Sequence, residues 1–241
     1  MMGVGRRVEI ISKSYRIAHT HNLHFIAILS VTGLTVMALE YFSWLAYVVG
    51  LPFAPLLGVD PVTAGVQIFR VLHRIFGVAW GGLLVVYGCY LFCSGKARVF
   101  DPLKKPLRDQ LKEASSLAKH YLLGKPIPEE VLEKMERHNV FVSYLAILLG
   151  VGFALLAVSG VGLMLRYALG LTAQQAAILL FLHDLGFGIT VLFVLFHLFA
   201  AFHPSNRPLL DAMFGNGTAP FDWVAEHMKA YVKRYGVAPE Q

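Results

Sequence analysis

The chain has 241 residues, of which 56% are apolar and only 15% charged, and its mean hydropathy is +0.60. Soluble domains carry about 25% charged residues, so the composition excludes a disordered chain and argues against a water-soluble globule. Two cysteines, Cys89 and Cys93, cannot build a disulfide framework, and the net charge of +6 does not call for nucleic acid because the basic residues avoid the apolar runs.

A helix needs roughly 20 mostly apolar residues to cross a bilayer. Four windows qualify: Leu23 to Val49, Val71 to Cys93, Val140 to Leu165 and Ala176 to Phe202. The first is too long for a signal-peptide core and is read as a retained span. Between the first two, Gly50 to Arg70 carries Pro52, Pro55, Asp60 and Pro61, which is turn chemistry. Residues 94–139 form a long charged loop and residues 203–241 a polar tail. Apolar residues recur on one face of two stretches outside the spans. They are Leu107, Leu111 and Leu122 in the loop, and Phe221, Val224, Met228, Tyr231 and Tyr235 in the tail. Such faces lie on the membrane interface or dock another subunit.

Lys and Arg set the orientation. The N-terminal arm, the loop and the tail hold 18 of them, whereas the opposite side has only Arg70, Arg74 and Arg166. The expected fold is therefore an all-α membrane protein. It is a four-helix up-down transmembrane bundle, one domain over residues 1–241, with both termini and the loop in the cytoplasm.

Ten histidines carry the functional argument. Ionisable groups inside a membrane are costly and mark functional paths, and neutral imidazole is a good iron ligand. His183 and His197 lie 14 residues apart on the fourth span. That separation is about 21 Å of rise, with a net rotation of only about 40°. One helix thus offers an imidazole near each membrane surface. His73 stands at the outer side, level with His183, and His19, His21 and His24 enter from the inner side, where His197 lies. Depth alone pairs His73 with His183 and leaves the three N-terminal histidines as alternatives for His197. Zinc needs three or four clustered ligands, which two separated pairs do not supply. A membrane proton path would use carboxylates, and only Glu40 and Asp184 lie near the spans. Two bis-histidine haems explain the pattern best. Glycines 77, 81, 82 and 88 on the second span, 150, 152, 160 and 162 on the third, and 186 and 188 on the fourth suit close helix packing or clearance for a flat macrocycle.

These residues fall into ordered motifs. They are Arg16-Ile-Ala-His19 followed by Thr32-Gly33, Val71-Leu-His73-Arg-Ile-Phe-Gly77, Val158-Ser-Gly160, and Leu182-His183 ahead of His197. The tail adds Leu209-Leu-Asp-Ala-Met213-Phe-Gly215 leading to Trp223-Val-Ala-Glu-His227. From Tyr15 to the tail, the chain resembles the cytochrome b (gamma) subunit of membrane-bound formate dehydrogenases, a family shared with thiosulfate reductase and hydrogenase membrane subunits. The resemblance implies two b-type haems, the outer on His73 and His183, the inner on His19 and His197. It implies a quinone, menaquinone or ubiquinone, beside the inner haem at Asn139, which by position is also a helix N-cap. The glycine and lysine that usually follow that asparagine are Phe141 and Ser143 here.

The implied partners are an iron–sulfur subunit and a formate dehydrogenase-like catalytic subunit in a bacterial or archaeal cytoplasmic membrane. This chain itself would carry no primary-substrate catalysis. The same anchor could serve a hydrogenase or a sulfur-compound reductase. A haem-free four-span transporter or structural anchor is the reading from a different class, and it expects no haem spectrum.

Overall fold

The computed structural model describes residues 6–95 and 98–237, so Lys96, counted above among the basic loop residues, lies outside the described residues. It divides into two compact units, one spanning Ile17–Tyr90 and the other built from the chain up to Arg16 and from Leu91 onward.

In the first unit, α1 (Lys13–Met37) ends at Ala38, whose φ of −122° and ψ of 53° leave the helical region, and α2 (Leu39–Gly50) begins at once. The window expected at Leu23 to Val49 is therefore two helices, and the long apolar helix starts earlier, at Lys13. A short turn of helix, α3 (Ala54–Leu57), closes on Gly58 at φ 66°. The Asp60 carboxylate then accepts from the Thr63 amide at 3.0 Å. Pro61 takes the first helical position, where its missing N–H is harmless. These two residues start α4 (Pro61–Cys93), a helix of 33 residues. The proline-rich stretch read as turn chemistry thus contains a helix start, and the second span begins ten residues before Val71 because Asp60-Pro61 is a cap followed by a first-turn proline. A Cβ on Gly65 would stand 1.9 Å from the Ala46 carbonyl oxygen, so α2 and α4 meet backbone to backbone.

In the second unit, α7 (Val140–Met164) and α8 (Ala173–Phe202) replace the expected windows with small shifts at their ends. Thr172 and Gln175 form a reciprocal capping box that sets the start of α8. Facing residues run Gly152 to Gly186, Gly160 to His183 and Gly162 to Leu179, an antiparallel pair. A Cβ on Gly186 would come within 3.0 Å of the Gly152 carbonyl oxygen, so these two glycines serve close packing. Elsewhere the spans present bare hydrocarbon. Val86, Phe92, Val158, Phe181 and Leu195 are all at least 60% exposed, as lipid-facing positions require.

The arm, loop and tail fold together at one end of this unit. Strand β1 (Arg7–Glu9) pairs antiparallel with β2 (Thr218–Pro220), Val8 opposite Ala219. Gly217 holds φ 93° and accepts from both the Ile10 and Ile11 amides, and a Cβ there would strike the Ile11 carbonyl oxygen at 2.2 Å. Around the strands pack α9 (Arg207–Phe214), α10 (Phe221–His227) and α11 (Lys229–Tyr235). Val224, Met228 and Tyr231 are buried in this core with Val8, Ile10 and Ile11. Val224, Met228 and Tyr231 of the tail's apolar stripe, with Phe221 packed against them, therefore face their own module, correcting the expectation of a membrane or docking face there, while Tyr235 stays exposed. The loop helix α5 (Leu107–Leu123) behaves differently: it buries Leu117, while Leu107, Leu111 and Leu122 stay exposed. A short helix, α6 (Glu129–Leu132), joins the tail through the ion pair Lys229–Glu129, and the segment after it through Arg234–Glu136 and a bond from the Ala230 amide to the Met135 carbonyl.

Glu113 fastens the loop to the membrane helices. It is 2% exposed, accepts from Lys105 Nζ at 2.6 Å, and accepts from the Val140 amide at 2.8 Å. That amide opens α7, where the helix dipole favours a carboxylate. Removing it would leave a half-buried ammonium and an unpaired amide. Glu113→Ala is expected to cost about 3–5 kcal/mol of stability in the loop and the first turn of α7. Hydrogen exchange of the Val140 amide is the check, and native-like protection would contradict the assignment.

Candidate functional site

Both units present a histidine in the same setting. On α4, His73 Nδ1 lies 2.9 Å from Thr32 Oγ1, and a Cβ on Gly33 would come 3.1 Å from the ring's Cε1. On α8, His183 Nδ1 lies 3.0 Å from Ser159 Oγ, and a Cβ on Gly160 would come 3.2 Å from Cε1. A hydroxyl residue followed by glycine faces an imidazole in each case. The hydroxyls are buried in apolar helices, Thr32 at 3% and Ser159 at 1% exposure.

The direction of these bonds follows from counting hydrogens. Thr32 donates its one hydroxyl hydrogen to the Ile28 carbonyl at 2.8 Å, and Ser159 donates to the Leu155 carbonyl. Each oxygen then accepts from the histidine, which places the ring proton on Nδ1. A neutral imidazole protonated at Nδ1 directs the Nε2 lone pair outward, the form that ligates iron. The glycine lets the ring approach the neighbouring helix backbone.

Depth along each helix is also matched. His73 follows the start of α4 by about 18 Å and His183 follows the start of α8 by about 15 Å. His73 thus lies well inside its helix instead of opening it, because α4 begins at Pro61. His19 is about 9 Å from the start of α1, and His197 about 7.5 Å from the end of α8. His197 stacks on Phe193, centroids 5.5 Å apart. Of the three N-terminal histidines, His19 is half-buried, while His21 and His24 are exposed and His21 bonds the Ile17 carbonyl one turn back.

These residues fit haem b: each histidine offers one nitrogen, the tautomer of two is fixed, and small residues give room. Added Cβ atoms at Gly81, Gly82 and Gly88 on α4 and at Gly150 and Gly188 on the other pair would meet no atom of the described residues. Cys89 and Cys93 are free thiols on the exposed surface of α4. Glu40 and Asp184 are both exposed.

Sequence reasoning did not assign the hydroxyls a role. The available signal was a Thr-Gly or Ser-Gly pair within an apolar run in each half of the chain. It also left unassigned a polar group at the C-terminal end of α8. Asn139 caps α7, its side chain accepting from the Val142 amide at 3.0 Å. Asn139 and Asn206 hydrogen-bond the Tyr121 phenol, which lowers its pKa and partly offsets the larger rise caused by burial. His138, beside Asn139, is held down to about 4, first by loss of water around the ring and then by the Arg137 charge, with Asp101 opposing.

A sequence profile of prokaryotic cytochrome b561 matches residues 10–216, and the chain belongs to that family. It is an integral membrane protein, all-α with four membrane-spanning helices, and an electron-transfer component of the cytochrome b type; the family implies haem b binding. No curated protein matches it in sequence.

Two expectations follow. Thr32→Val and Ser159→Ala each free a ring to rotate and change tautomer. Supporting residues of this kind are worth about 10–100-fold in metal affinity, so each variant should release haem that much more readily to an apo-globin acceptor. Native retention in both would remove the role given to the hydroxyls. The second concerns His138, whose protonation is opposed in the folded protein. Its contribution to stability is full above about pH 6.5 and is lost as pH falls toward about 4. His138→Gln should flatten that slope in thermal unfolding, and an unchanged slope would contradict it.

Proposed function

We propose that the chain holds two b-type haems, the outer between His73 and His183 and the inner between His19 and His197, and that it links an iron–sulfur partner to a membrane quinone near Asn139. The observation that carries this reading is the repeated hydroxyl–glycine cradle, which presents His73 and His183 in one tautomer from two helix pairs. The matched depths of the four histidines along their helices support the pairing.

Bound there, haem b supplies one-electron chemistry over a wide range of potentials. The chain contributes the axial nitrogens, their orientation, and a dry surround of apolar helices. The Lys and Arg distribution supports cytoplasmic termini, and the pairing of β1 with β2 keeps the two ends on one side, as an even number of spans requires. Electrons entering at the outer end and reducing quinone at the inner end would cross the membrane potential, about 2.3 kcal/mol per charge per 100 mV. The motif resemblance supports a formate dehydrogenase-type complex. A hydrogenase or sulfur-compound reductase is the second reading, since the same motifs occur in their anchors, and the subunits that co-purify with the chain decide between them.

The test is haem quantitation. Reduced-minus-oxidised spectra with pyridine haemochrome analysis should give two haem b per chain in the native protein. His183→Ala should retain one, and His197→Ala the other. A native protein without haem, or a His183→Ala variant that keeps both, would refute the ligand set.

A further inference from the structure

We propose that α5 lies in the bilayer surface and that its exposed face is a binding site for anionic phospholipid. The exposed residues of α5 are four leucines, three basic residues and Ser115, with no acidic side chain among them. Leu107, Leu111 and Leu122 are each more than half exposed. At 100° per residue they fall within about 60° of one another, and Arg108, Lys112 and Lys119 stand together about 90° further round. The acidic residues of α5 lie elsewhere. Asp109 pairs with Lys134 at 2.9 Å, and Glu113 is buried against Lys105 and α7. Lys112 is 3.5 Å from Glu130, an exposed pair of little strength that leaves the face basic.

The level of α5 says what covers this face. Near its start, Gln110 Oε1 accepts from the Tyr144 hydroxyl at 3.0 Å, and Tyr144 is about 6 Å from the start of α7. Near its end, the Tyr121 ring meets Phe199 edge-on, centroids 6.5 Å apart, about 4.5 Å before α8 ends. Because α7 and α8 are antiparallel, the start of one and the end of the other mark the same boundary of the hydrocarbon. All three helices belong to one compact unit. The two contacts are about 17 Å apart along α5 yet at nearly one depth, so α5 runs along that boundary and not away from it. Phe202, one turn on from Phe199, is exposed, so lipid-facing surface reaches the level of α5.

A helix so placed sinks its leucines among the upper acyl chains. Its lysines and arginine keep their stems with the leucines and carry their charges outward to the headgroups. Phosphates of anionic lipids complement those charges, and zwitterionic lipids do so less well. The occupant of the face is thus the membrane that the spans already cross.

The experiment uses the full chain in phosphatidylcholine nanodiscs, with Cys89→Ala and Cys93→Ala and a bimane label attached at Leu111→Cys. Lipids carrying a nitroxide high on the acyl chain should quench the label, and aqueous iodide should not. Each basic residue near an anionic surface is worth about fivefold in association. Nitroxide phosphatidylglycerol should therefore quench at about one-fifth the content of nitroxide phosphatidylcholine, or less. Arg108→Gln, Lys112→Gln and Lys119→Gln together should abolish that preference and leave quenching by phosphatidylcholine unchanged. A label at Leu122→Cys should behave in the same way, which guards against a local defect at one position. Quenching by iodide alone would show a face in water and overturn the proposal. Protection from both lipid and iodide would show a cover of protein, another subunit or a second copy of the chain, and would overturn it equally. Equal quenching by the two lipids in the unsubstituted helix would refute the anionic site.

Discussion

A hydrogen bond between a buried hydroxyl and an imidazole, made once in each helix pair, is the constraint on which the site depends. A polar group inside hydrocarbon must find a partner within the protein, because no water is there to serve. Thr32 and Ser159 solve that problem twice over, donating to their own helix backbone and accepting from a histidine on the next helix. The same bond that satisfies the hydroxyl fixes which ring nitrogen carries the proton. Stability in the membrane and readiness to ligate iron come from one contact.

The remaining architecture keeps that contact in place. Glycine positions let helices touch where they must, as Gly152 and Gly186 do between α7 and α8. At one end of the second unit, arm, loop and tail fold into a polar module on a small core of its own. Glu113 joins the loop to the membrane helix, since its carboxylate meets both the half-buried Lys105 ammonium and the first amide of α7. A site built on rigid helices and tied at the end in this way holds ligand geometry better than one carried on loops.

Much of this was legible in the sequence, for identifiable reasons. Hydrocarbon thickness sets span length, so all four long apolar helices could be read from composition, and the histidines stood out because lipid penalises them. Other features were not legible. The end of α1 at Ala38 carries no proline or glycine to mark it. Asp60-Pro61 reads equally as a turn or a helix start, and only the ensuing α4 decides. The apolar stripe of Val224, Met228 and Tyr231 announced a buried face but not its cover, because β1 lies more than 200 residues away in the chain. Thr32 and Ser159 looked like tolerated polar residues until the facing rings were seen. His120, Tyr121 and His203 come together only through the fold of α5 against the end of α8.

The central claim is that Nε2 of His73 and of His183 binds iron. Low-temperature electron paramagnetic resonance of the oxidised protein tests it most directly. Two low-spin ferric signals characteristic of paired imidazoles are predicted, one of them lost when His73 or His183 is replaced by alanine. A high-spin signal, or both low-spin signals surviving those replacements, would contradict the account.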